Sequence, residues 1–166
     1  MEISEQDNEG LHNIIDNHRR LGQTQRPAYL AAMEELSRRG GNGLSFRKTL
    51  MAILAAAREQ RFISYKGIAD QSGAEWSRVH WAMGKHLGEL LEYAHRRGWP
   101  LVTSIVVNEL HVKTGQMKPE SLEGFLSMAR SLGFEVTDEL TFLIDQQQNV
   151  FKWAKDFTLE GEPLLL

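Results

Sequence analysis

The chain has 166 residues, enough for one domain with a core that needs no covalent staples. Cysteine is absent, which excludes disulfides, thiolate nucleophiles and Cys-ligated zinc or iron–sulfur centres. The net charge of −3 is unevenly spread: residues 1–36 hold three Lys/Arg against seven Asp/Glu, residues 37–100 eleven against five, and residues 101–166 five against ten.

Leu11, Ile14, Ile15 and His18 recur at helical spacing and predict a first helix over about 6–21. Gly22-Gln23-Thr24 interrupts it, and Pro27 suits the first turn of a second helix over about 27–38, with Tyr29, Leu30, Met33 and Leu36 on one face. The run Arg38-Arg39-Gly40-Gly41-Asn42-Gly43 ends that helix and is the best linker candidate, so residues 1–41 read as an N-terminal helical extension. Ser45 is placed to cap a third helix, about 46–60, whose stripe is Leu50, Ile53, Leu54 and Ala57. Phe62 to Tyr65 is a short apolar link. Ser64 then caps a brief helix over 65–71, Ser72-Gly73 turns the chain, and a long helix follows over about 75–97. Leu101 to Asn108 is rich in β-branched residues and predicts a strand, with a short partner near Leu110 to Lys113 or at Gln116-Met117 across a turn at Thr114-Gly115. Two more helices, about 119–132 and 137–155, close the chain. The expected fold class is mainly α: a winged-helix-like helix-turn-helix unit over 44–118 with a small β element, flanked by the extension and by C-terminal helices over 119–157 on the same core.

The basic middle third, between acidic flanks, suggests a surface facing a polyanion. Its informative stretch runs from Ile63 to Leu87. A short helix, a turn and a second helix with a polar, cationic start is how a helix-turn-helix presents side chains to a groove. The residues that meet nucleic acid first are then Trp76, Ser77, Arg78 and His80. Arg78 can form a fork to phosphate or guanine, and Ser77 with the amides of the helix start can hold a phosphate. Tyr65, Lys66 and Lys85 add to the candidate surface, the lysines as phosphate contacts. Val79, Met83, Leu87, Leu90, Leu91 and Ala94 follow helical spacing and are expected in the core, and Gly84 and Gly88 are expected to admit a close crossing by another element.

Three motifs between residues 63 and 108 carry a resemblance. Tyr65-Lys66-Gly67-Ile68-Ala69 resembles the Tyr-Gly-x-(hydrophobic)-Ala helix of the DNA-binding domain of alkylguanine-DNA alkyltransferases and alkyltransferase-like proteins, with Lys66 where that family has Gly. Trp81 to Leu87 is similar to its recognition-helix motif Arg-x-Val-Gly-x-Ala-Leu. Val102 to Val107 falls where its Pro-Cys-His-Arg-Val-Val strand lies. The match spans about 45 residues. It places Thr103 at the alkyl-acceptor position, Ser104 and Ile105 at the next two, and Trp81 where the family carries an arginine finger. With no cysteine, alkyl transfer is excluded; what the resemblance implies is a docking mode on DNA and the sensing of modified or damaged bases.

The leading expectation is therefore a non-catalytic DNA-binding protein. One alternative is an adaptor or inhibitor whose helix-turn-helix is architectural, with the N-terminal helices covering a protein partner or a second copy of the chain. Another is a nuclease or glycosylase-like enzyme using Asp70, Glu75 or the histidines. His80, His86 and Glu89 share part of one helix, but no His-Glu-x-x-His pattern, phosphate-cradling Gly-rich loop or Gly-x-Ser-x-Gly elbow is present, so neither a metal nor a cofactor nor a catalytic set is expected. The apolar runs at 50–57 and 100–107 are too short for a bilayer, and the acidic, polar start does not read as a secretory signal; the expected location is cytoplasmic.

Overall fold

Residues 2–40 and 43–159, the part of the chain that the computed structural model describes, contain seven α-helices, three short 3-10 turns and one pair of two-residue strands. Gly41 and Asn42 of the predicted linker lie outside the described residues, as does the end of the chain from residue 160. Helix α1 (Asn8–Arg20) begins where the Asp7 carboxylate accepts the Gly10 amide at 2.7 Å. Helix α2 (Pro27–Arg38) begins on proline, as expected, and packs on α1 as a hairpin. The hairpin is pinned to the rest of the molecule by a polar knot. The Arg19 guanidinium donates to Glu92 at 2.9 Å and to the Tyr29 hydroxyl at 3.0 Å, and that hydroxyl donates to Glu92 at 2.5 Å. Burial beside the Glu92 carboxylate pushes the Tyr29 hydroxyl up to about 12.

Helix α3 (Phe46–Arg58) starts at Ser45, whose hydroxyl accepts the Lys48 amide at 3.2 Å. Strand β1 (Ile63–Ser64) leads directly into α4 (Tyr65–Gln71), α5 (Trp76–Arg96) follows, and strand β2 (Val106–Val107) pairs with β1 in parallel, Ile63 against Val106 and Ser64 against Val107. Helices α6 (Pro119–Ser131) and α7 (Glu139–Asp156) complete the order. The main core runs from Leu11 and Tyr29 through Phe46, Ile53, Ile68 and Leu90 to Val150; a second cluster joins Leu91 and Leu101 to Phe125, Leu126 and Leu143. Helices α1 and α2 thus share one core with the central helices. Among the described residues no helix is long and apolar enough to cross a membrane.

The strand predicted over 101–108 is mostly something else. Residues 102–105 form a 3-10 turn, and only Val106 and Val107 are extended in a ladder. Two causes combine. Ser64 ends β1 because its side chain is used as the cap of α4, accepting the Gly67 amide at 2.9 Å, so no longer ladder is on offer. And every residue from Leu101 to Val107 is buried, without the alternation of a half-exposed strand, so its β-branched side chains fill space between α3, α5 and α7. The expected partner strand is absent too: residues 109–111 make another 3-10 turn, and the only sheet among the described residues is the parallel pair. The turn at Thr114-Gly115 is present. Gly115 has φ +78, and a Cβ there would lie 2.3 Å from the Phe62 ring, so glycine is required on both counts. Gln147 holds this turn to the 3-10 segment, its side-chain amide donating to the carbonyls of Ser104 at 3.0 Å and Gly115 at 2.8 Å.

Candidate nucleic-acid interface

The turn between α4 and α5 is built by its backbone. Ser72 donates to the Ile68 and Ala69 carbonyls, Gly73 takes φ +74, and the Ala74 amide returns to the Ala69 carbonyl at 2.9 Å. Ile68 and Ala69 are fully buried beneath it. Helix α5 then opens at Glu75, whose carboxylate makes no hydrogen bond to the first-turn amides. It pairs instead with the Arg78 guanidinium at 3.2 Å, and both side chains are mostly in water. The start of α5 therefore has no side-chain cap, which leaves its amide dipoles facing solvent.

The seven residues singled out in the sequence divide between two surfaces of one region. Ser77, Arg78 and Lys85 are exposed on α5, and Lys66 is exposed on α4. Lys85 lies 3.8 Å from Glu89 one turn on. Tyr65, Trp76 and His80 instead line a cavity of about 450 Å³ between α5, the 102–107 segment and α6. The Trp76 and His80 rings are 5.9 Å apart at its edge. Met83, Leu87 and Leu91 continue its wall along α5, and Met117, Phe125 and Met128 close it from the other side. Thr103, 7 % exposed, also lines it. The residues of α6 were not legible in sequence as part of a site; the one signal was Gly124, a glycine in a helix interior, which lines the same cavity.

Gly84 and Gly88 do not admit a close crossing. A Cβ at Gly84 would meet no atom within 4 Å, and one at Gly88 would stand 3.4 Å from the Met128 methyl, an ordinary contact. Both glycines border the cavity, and their missing side chains leave it open.

The two histidines of α5 part company. His80 is exposed at the cavity edge. His86 is turned inward, its Nε2 hydrogen-bonded to the Thr49 hydroxyl at 2.7 Å, and desolvation lowers it to about 4. It lies on a second cleft, of about 360 Å³, between α5 and the α1–α2 hairpin, which Glu89 also lines. Burial raises the Glu89 carboxyl, against the pull of Lys85 and Arg19. His80 therefore does not join His86 and Glu89 in one ligand set. Asp70 is exposed on α4 and Glu75 is engaged with Arg78, so neither is held as a general base would be. Trp81, in the sequence only a departure from a motif, is 74 % exposed on α5.

No protein-family model, curated protein or solved structure matches the chain.

Proposed function

We propose that this chain is a non-catalytic DNA-binding protein that lays the start of α5 against the duplex. The observation that carries the reading is the concentration of exposed polar and cationic groups (Ser77, Arg78 and Lys85) on the solvent side of a helix whose other side is core. The uncapped amides at the start of α5 add a second means of holding phosphate. The ion pairs of Arg78 and Lys85 are exposed, are worth about 0–1 kcal/mol each, and exchange readily for phosphate. In the finer architecture, α4, the turn and α5 act as a helix-turn-helix of winged-helix-like type in which α5, rather than a β-hairpin wing, makes the contact.

The narrower form of the proposal concerns the cavity beside α5. Its apolar floor and its Tyr65, Trp76 and His80 edge suit a modified or damaged base turned out of the stack. The alkyltransferase resemblance puts its acceptor position at Thr103, on the cavity wall, where a hydroxyl replaces the reactive thiol. The protein would sense such a base without transferring a group.

Fluorescence anisotropy with intact and alkylated duplexes across a salt series tests both forms. Affinity is expected to fall steeply with salt as counterions are released. Arg78→Ala is expected to weaken binding by about 1–3 kcal/mol. Failure to bind any duplex at low salt would sink the proposal; equal affinity for intact and alkylated duplexes would remove the narrower form.

A further inference from the structure

Trp81 is the one aromatic side chain among the described residues that lies mostly in water. A lone exposed apolar residue needs no explanation in general. This one differs in what surrounds it. Its indole N–H donates to the Arg78 carbonyl at 2.7 Å, so the ring's only polar atom is satisfied inside the helix and the surface left to solvent is apolar π-face. Arg78 stands one turn before it and Lys85 one turn after, both exposed, and the Gly84 position between them is bare helix. On its other side Trp81 forms the lip of the cleft between α5 and the hairpin, whose floor is apolar at Ile15, Met33 and Leu36. The same cleft is lined by the carboxylates Asp16 and Glu89 and by the cations Arg19 and Lys85, so it offers the polar edge of a base both hydrogen-bond acceptors and donors, while the exposed Arg78 and Lys85 side chains beside Trp81 face a strand's phosphates.

We propose that Trp81 is a stacking platform for an unpaired nucleobase of a bound DNA strand, seated over the cleft between α5 and the α1–α2 hairpin. This site is distinct from the cavity on the α6 side of α5. It rests on the DNA-binding reading and deepens it, because it makes the preferred substrate a DNA with an unpaired base rather than a perfect duplex.

The test uses the full chain with two labelled probes, an intact duplex and the same duplex carrying one bulged thymidine. The wild-type protein is expected to bind the bulged probe more tightly, and Trp81→Ala to cut the bulged-to-intact affinity ratio by about tenfold, with Trp81→Phe retaining part of it. The bulged probe is also expected to quench tryptophan emission in the wild type and less so in Trp81→Phe. An unchanged ratio in Trp81→Ala, or no preference for the bulge in the wild type, overturns this inference and leaves the DNA-binding reading standing. Absence of binding to both probes overturns both. Because Trp81 lies on the surface, its substitution is not expected to affect folding, which thermal unfolding of each variant checks.

Discussion

His86 is held neutral by its surroundings, and that has a consequence for pH. Its pKa in the fold lies near 4 against an ordinary 6.5, so between those values the unfolded chain binds a proton that the folded chain refuses. Stability from this group is complete above about pH 6.5 and is lost as pH falls toward 4. From pH 7 to pH 5 the loss is about 2 kcal/mol. Glu89, whose pKa is raised by desolvation, acts in the opposite sense, so the informative comparison is with His86→Gln rather than with the raw slope. Urea unfolding at both pH values is expected to show a smaller loss in His86→Gln; equal losses would mean that His86 is not held neutral. This role could not be read from sequence. His80 and His86 look alike there, and only the approach of Thr49 from α3 separates them. The same holds for Gln147, one of three consecutive glutamines and the only one buried. Arg78, Ser77 and Lys66, by contrast, were legible as surface groups because helical spacing alone put them opposite the apolar stripe of their helices.

At the scale of elements, α5 carries a conformational cost that its packing does not require. Gly84 sits in the helix interior with helical backbone angles and open space where a side chain would go. Gly84→Ala is expected to raise stability by about 0.5–1 kcal/mol, measured by chemical denaturation, since alanine gains helix propensity without a clash. If the bare turn serves DNA, the same variant binds more weakly while unfolding later, a combination that general damage to the fold does not produce. Helix ends were legible because caps are local: Ser45, Ser64, Pro27 and Pro119 each mark a start through chemistry within four residues. The 101–108 segment was misread because β-branched content reports a crowded environment as readily as a ladder, and a ladder also needs a partner strand that Ser64 cuts short.

For the whole molecule, the hairpin of α1 and α2 is a structural necessity. Leu11 and Tyr29 are fully buried, and Ile15, Leu30 and Met33 nearly so, all in the main core. At about 1.5–3 kcal/mol per large apolar side chain, their burial approaches the roughly 5–15 kcal/mol by which a domain is stable. Deletion of residues 1–40 is therefore expected to abolish cooperative unfolding followed by circular dichroism, and a sharp transition in the truncated chain would show that the remaining core suffices. The sequence by itself determined the seven helices, the Ser45 and Ser64 caps, the turn at Gly73 and the solvent-facing identity of Arg78 and Lys85, because each of these depends on neighbours a few residues away. Only the tertiary structure decided that α6 faces α5 across a cavity, that His86 points inward while Trp81 stays in water, and that the 102–105 segment coils rather than extends. Those outcomes depend on groups tens of residues apart being brought together, and side-chain periodicity carries no record of such pairings.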